Sequence, residues 1–175
     1  MKTIVINSPL HGTKEILVDD EDYEMVNKYK WCVIKSKNTF YATRNIPEIN
    51  KVKGTIIMHR AILGLIDTKI IVDHKNHNGL DNQKLNLRIC TQKQNCANKS
   101  AHKNSTSKYL GVNKKKQKYI NKNGEIKISE SWEARIMKDG KSLSLKFHKT
   151  EEDAARAYDK AAKEIHGEFA NLNFK

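Results

Sequence analysis

Ile70-Ile71-Val72-Asp73-His74, Lys75-Asn76-His77-Asn78-Gly79-Leu80-Asp81-Asn82, Asn86-Leu87-Arg88-Ile89-Cys90 and Gln92 to Asn98 form one ordered passage of a 175-residue chain. The first block is apolar and β-branched, and reads as a strand ending in Asp73-His74. A polar loop rich in Asn and Gly comes next. The third block reads as a second strand, and the last as a helical turn or two. Strand, loop, strand and helix, with a histidine closing the first strand, make a ββα unit over residues 73–98.

Such a unit suits phosphodiester hydrolysis. An attacking water needs a general base within hydrogen-bond reach, and histidine titrates closest to neutral pH, which singles out His74. A hard divalent cation on the scissile phosphate prefers carboxylate or amide oxygens. Asp73 and His74 are adjacent on a strand, so their side chains diverge, one toward metal and one toward water. Asn95 on the following helix can add a second oxygen ligand. Asn86 sits where its amide can bond the loop backbone and hold His74. His77 reads as loop polarity, His59 as structural support, and Asn76, Asn78 and Asn82 as loop geometry. Cys32, Cys90 and Cys96 are odd in number with no C-x-x-C pair, against both a disulfide framework and a zinc knuckle.

Toward the C-terminus, residues 99–106 are a polar, basic stretch that cannot build a core, and read as a linker. Residues 107–175 form a further unit. Asn123-Gly124 and Asp139-Gly140 are hairpin turns. Trp132 to Met137 and Ser142 to Phe147 alternate with period two, so each has an apolar and a polar face. Thr150-Glu151-Glu152-Asp153 has the form of a capping box. The helix it opens puts Ala154, Ala155, Tyr158, Ala161, Ala162 and Ile165 on one stripe, and Gly167 stops it. The expected product is a three-stranded sheet on one helix. The sheet's other face is free, carries Glu133, Arg135 and lysines, and can enter a major groove.

Toward the N-terminus, residues 1–72 read as a β-rich accessory segment. Ile4 to Ile6, Glu15 to Val18, Trp31 to Ile34, Phe40 to Thr43 and Thr55 to Met58 are strand candidates. Asp19 to Asp22 open a short helix carrying Tyr23, Val26 and Tyr29, and their acids suit its N-terminal end. Ala61 begins another helix. Trp31 and Tyr41 read as core, with base stacking as the other option.

The charge pattern names a partner. The chain has 33 basic and 20 acidic side chains, a net charge of +13, and a mean hydropathy of −0.74. Residues 91–149 hold 15 basic and 4 acidic groups, against 14 and 10 in residues 1–90. A confined basic field is the footprint of a nucleic-acid binder. No apolar run reaches the roughly 18 residues of a membrane span, and no leader is visible at Met1 to Ile6.

The stretch VDHKNHNGLDNQKLNLRICTQKQNCANK, with Met58-His59-Arg60 before it, resembles the HNH homing endonucleases in the subgroup whose third letter is Asn. The resemblance implies His74 as general base, Asn86 as the bracing residue, and Asp73 and Asn95 as ligands of one divalent cation, magnesium or else manganese. Tyr109-Leu110-Gly111-Val112, WEARI at 132–136, TEEDAARAYDKAA at 150–162 and ANLNF at 170–174 resemble the DNA-binding domain of plant ethylene-response factors, the Apetala-two domain. That likeness implies Arg135 on the DNA face, with Trp132, Ala134 and Ile136 on the helix. Lys114, Lys115, Lys116, Lys141, Ser142, Ser144 and Lys146 complete the expected DNA-binding set. Departures are Leu110 and Asn113 where the plant domains carry Arg, His148 where they carry an aromatic, and a longer lysine-rich hairpin over 114–131.

The expectation is therefore an α+β protein: β-rich segment, HNH ββα-metal unit, basic linker, and sheet-plus-helix DNA-binding domain. It would hydrolyse double-stranded DNA at specific sites, most simply as a nicking monomer, with a homodimer as the other option. It would work inside a cell, in the cytoplasm, away from membranes. The competing reading is a DNA-binding regulator that keeps the scaffold without cleaving. A different nuclease motif through Glu125-Ile126-Lys127 fails, because the nearest preceding aspartate, Asp81, lies across a domain boundary.

Overall fold

Alternating apolar residues in the first eighteen positions pair into a hairpin, β1 (Lys2–Ser8) with β2 (Gly12–Val18), which buries Ile16 and Val18. The computed structural model describes residues 1–49, 52–101 and 105–174, so His102, Lys103 and Asn104 of the expected linker, and Lys175, lie outside the described residues. The chain divides into two compact units, Met1–Asn95 and Cys96–Lys175. It is a mixed α/β protein with four small antiparallel sheets and four α-helices among the described residues. None of those helices is long and apolar enough to cross a membrane.

In the first unit, α1 (Asp20–Asn27) follows the hairpin, with Asp20, Glu21 and Asp22 in its first turn. Asp19 does not cap it through its side chain; its carboxylate accepts from the Lys84 N–H at 2.7 Å. Tyr29, expected on this helix, lies beyond it, half exposed beneath the Arg44 guanidinium at 3.8 Å. Strands β3 (Cys32–Lys35), β4 (Phe40–Ile49) and β5 (Val52–Ile57) form one sheet in that order. Helix α2 (Met58–Ile62) begins earlier than the sequence indicates, so Met58 is helical and fully buried. The core is Ile16, Val18, Val26, Trp31, Ala42, Met58, Ile62 and Leu80. Trp31 is a core residue, its indole N–H donating to the Val26 carbonyl at 2.8 Å. Leu80 belongs to the Asn-rich loop, so that loop shares the core of the β-rich segment.

Strands β6 (Ile71–His74) and β7 (Leu87–Cys90) pair antiparallel, with Asp73 opposite Arg88 and His74 opposite Leu87. Helix α3 (Gln92–Ala97) comes directly after. A reciprocal cap starts it: Thr91 Oγ1 accepts from the Gln94 N–H at 3.2 Å, and Gln94 Oε1 accepts from the Thr91 N–H at 2.8 Å.

In the second unit, β8 (Val112–Ile120), β9 (Ile126–Lys138) and β10 (Lys141–His148) form a sheet in the order β10-β9-β8. Helix α4 (Glu151–His166) packs on it through Ala154, Ala155, Tyr158 and Ala162, against Val112, Ala134 and Ile136. Thr150 Oγ1 caps that helix from the Asp153 N–H at 3.1 Å. The tight Asp139-Gly140 turn uses positive φ at both residues, 50° and 77°. The even alternation expected through Phe147 breaks. A register shift between Ser144 and Phe147, with Lys146 at φ 78°, turns Phe147 outward to 61% exposure.

Candidate functional site

Asp73 and His74 close β6, and both are buried, 7% and 5% exposed. Adjacent strand residues point to opposite faces, so the two part company. Asp73 meets its cross-strand partner: Arg88 Nε and Nη2 donate to Asp73 Oδ2 at 2.9 and 2.7 Å. His74 meets rings instead. Its imidazole stands edge-on to His59 at a centroid distance of 5.0 Å, and Tyr41 lies 5.7 Å from His74 and 5.9 Å from His59.

The Met58-His59-Arg60 triplet assembles this wall by sending three side chains three ways. Met58 enters the core, and His59 faces His74. The Arg60 guanidinium donates to the Ile70 and Asp67 carbonyls, bracing the approach to β6. Burial, then the neighbouring His74 and Arg60 charges, push the His59 imidazole down to about 3, so it is neutral at ordinary pH. Burial also lowers His74, opposed by contact with Asn82 and by the charges of Asp73 and Asp81. The Tyr41 hydroxyl is raised, first by burial and then by the Asp73 charge.

Asn86 clamps the loop at two points. Its Oδ1 accepts from the Asn76 N–H at 3.1 Å, and its Nδ2 donates to the Asp81 carbonyl at 2.8 Å. Asn76 bonds Asp81 Oδ2 at 2.7 Å and accepts from the Asn78 N–H at 2.9 Å. The loop is also stitched to β2: Leu17 donates to the Leu80 carbonyl at 2.9 Å, and Asn82 N–H donates to the Leu17 carbonyl at 2.8 Å. Gly79 passes so close to Phe40 and Tyr41 that a Cβ would lie 2.5 Å from the Phe40 carbonyl and from the Tyr41 ring. His77 turns the loop at φ 64° with its side chain exposed.

Asn95 is half-buried on α3, and Cys90, at the end of β7, is buried. That thiol is raised first by burial and then by the Asp73 charge, while the Arg88 charge and then the Asn95 backbone N–H pull the other way. Among the described residues no group of three His, Cys, Asp or Glu side chains forms a metal cluster. Asp73 and Asn95 offer one carboxylate and one amide oxygen. This hard donor set fits a cation that keeps several waters and binds phosphate oxygens, as magnesium does.

Four neighbours complete this centre: the sequence indicates Tyr41 as core, His59 as structural support, Arg88 as part of the second strand and Asn82 as loop geometry. The structure brings the Tyr41 and His59 rings against His74 and Arg88 onto Asp73. Asn82 is fully buried, and its contact with His74 favours the charged ring without completing a well-formed hydrogen bond. A histidine between two apolar residues and an arginine was the one available signal for His59.

In the second unit the expected DNA-binding residues separate by face. Register puts Lys115, Arg135, Ser142 and Ser144 on the outer face, and Lys114, Lys116 and Lys141 on the face that carries Trp132 and Ile136. Lys146 lies in the β10 irregularity. Glu133 is not a free group of the outer face but is 6% exposed beneath it. Ser144 Oγ donates to it at 2.8 Å, and Lys115 and Arg135 pair with it at 3.4 and 3.7 Å. Burial opposes its ionisation, yet these contacts hold the carboxyl below its usual range. Lys114 and Lys116 both pair with Glu130, at 2.6 and 3.1 Å.

A buried histidine beside an arginine-paired aspartate thus stands at the mouth of a clamped hairpin loop. Over 154 residues, 87% of its length, the chain is 34% identical to an uncharacterized HNH endonuclease of Acanthamoeba polyphaga mimivirus, and covers 71% of that relative. The chain belongs to the HNH endonuclease family. No protein-family model and no solved structure matches it.

Proposed function

We propose that this chain is a metal-dependent, site-specific HNH homing endonuclease that nicks double-stranded DNA as a monomer inside the cell. The observation that carries the reading is His74. It is buried at the end of β6 beside Asp73, and its loop is clamped by Asn86. Burial favours the neutral ring, the form able to take a proton. His74 removes the proton from a water as its oxygen attacks phosphorus. The His59 and Tyr41 rings limit the rotation of His74, and Asn86 keeps the loop from sliding. Arg88 offsets the Asp73 charge and holds its carboxylate in one orientation. A divalent cation held by Asp73 and Asn95 would stabilise charge on the phosphate and on the leaving sugar oxygen.

The second unit is the anchor in this reading: a sheet on one helix, similar to the ethylene-response-factor domain, presenting Arg135 and Lys115 to the backbone. The competing role, a regulator that binds without cutting, draws on the Asp73–Arg88 pair, which engages the expected metal ligand. Supercoiled plasmid incubated with magnesium or manganese, and with excess EDTA, separates the two. The expected result is conversion to open circles that EDTA abolishes. Cleavage undiminished by EDTA would sink the metal assignment, and DNA binding with no cleavage under either metal would favour the regulator.

A further inference from the structure

The lysine-rich hairpin that sets this chain apart from the plant domain forms a two-stranded arm. Strand β10 pairs with β9 along Trp132–Lys138, whereas β8 follows β9 all the way to Ile126. From Lys115–Ser131 to Ile120–Ile126, six cross-strand pairs run with no third strand, a reach of about 20 Å at strand spacing. The tip is tied rather than loose. Asn121 Oδ1 accepts from the N–H groups of Asn123 and Glu125 at 3.0 and 2.9 Å, and Asn121 donates back to the Glu125 carbonyl at 2.9 Å.

Register puts Ile120, Ile126 and Ile128 on one face of this arm, the face that continues to Trp132 and lies opposite Lys115 and Arg135, and they are 71%, 70% and 58% exposed. Single exposed isoleucines are ordinary, but three on one face of a narrow ribbon form a patch. Lys116 and Lys118 share that face, Lys115 and Lys127 stand on the opposite one and Lys122 lies in the turn; Lys115, Lys116 and Lys127 pair with Glu133, Glu130 and Glu125. Lys118 and Lys122 have no ion pair among the described residues. The excess of positive charge opposes stacking of two such arms and favours a polyanion.

We propose that this arm is a second DNA-engaging element, whose isoleucine tip wedges between base steps while its lysines hold the flanking phosphates. The proposal rests on the proposed DNA-cleaving function and adds an apolar contact to it. Minor-groove wedges of this kind partly unstack a step and kink the duplex. The arm's reach corresponds to about six base pairs at 3.4 Å each, so it lengthens the bound footprint by that much.

The test uses the full chain and a short duplex of mixed sequence, carrying end fluorophores for bending and a fluorescent adenine analogue for unstacking. The wild type should shorten the end-to-end distance and brighten the analogue. Combined Ile120→Ser, Ile126→Ser and Ile128→Ser should abolish both signals, weaken binding about tenfold, and leave the salt slope and thermal unfolding unchanged. Combined Lys118→Gln and Lys122→Gln should keep the bend and flatten the slope by about 2. Bending and unstacking by the serine variant equal to wild type would overturn the wedge, as would a wild type that binds duplex with neither signal. A DNA-free dimer abolished by the serine substitutions would overturn it in favour of a second copy. Absence of any duplex binding would remove the DNA reading itself, and the wedge with it.

Discussion

In the first unit His59, Asp73, His74, Asp81, Asn82 and Asn86 are all buried. In the second, Lys115 and Arg135 stand in solvent above one buried carboxylate, Glu133, with Ser142 and Lys146 exposed elsewhere on the sheet. Residues 1–95 hold 15 basic and 10 acidic groups, and residues 96–175 hold 18 and 10. On the proposed reading the difference reflects two tasks. Bond breaking gains from excluded water, which strengthens each electrostatic contact and fixes the reacting groups. Phosphate recognition gains from solvated lysines, whose contacts release counterions from the duplex. The chain keeps a small hydrogen-bonded interior in one unit and an open charged sheet in the other, as that division of tasks would require.

The sharpest way to break this contrast is His74→Ala. Turnover should fall by about 10²–10⁴, the usual worth of a positioned base, while duplex affinity stays nearly constant. Single-turnover cleavage and a binding titration on one preparation check it, and equal losses in both would erase the division of labour. Arg135→Ala is the mirror experiment. It should cost about 1–3 kcal/mol of DNA affinity if Arg135 reads a base, with relaxed discrimination, and less, uniformly across sequences, if it holds a phosphate. The chemical step on bound DNA should not change.

The last effect, on stability rather than on cleavage or binding, concerns acid. The His59 value in the folded protein is about 3, against an ordinary 6.5, and His74 is shifted the same way. The unfolded chain therefore binds more protons across that window. Stability from the neutral His59 ring is complete above pH 6.5 and is lost as pH falls toward 3, by about 1.4 kcal/mol per pH unit, and His74 contributes with the same sign. Tyr158 in the second unit, raised to about 12 by burial and the Asp159 charge, titrates far outside this range. The first unit should thus melt earlier than the second as pH drops from 7 to about 5. Trp31 and Trp132 report one unit each, so fluorescence melts of Trp132→Phe and Trp31→Phe proteins follow them separately. Parallel acid sensitivity in both would show that the buried histidines do not set it.

Much of this plan could be read along the chain. The β-branched run into Asp73-His74, the capping residues Thr150 and Asp153, and the Asp139-Gly140 turn act through neighbours in sequence, so local chemistry announces them. The His59–His74–Tyr41 wall was hidden because its members come from three elements that meet only when the core closes. The Arg88–Asp73 pair depends on strand register, which a long loop does not set by itself. Phe147 misled for a related reason. One extra residue in β10 reverses the facing of the residues after it, and alternation carries no sign of the shift.

The stitching of Leu17 to Leu80 and Asn82 gives the opening hairpin an unexpected place on a mutational map. Lesions in β2 far from His74 in sequence should score in a cleavage screen beside substitutions of the catalytic loop, and their suppressors should arise among residues 76–86.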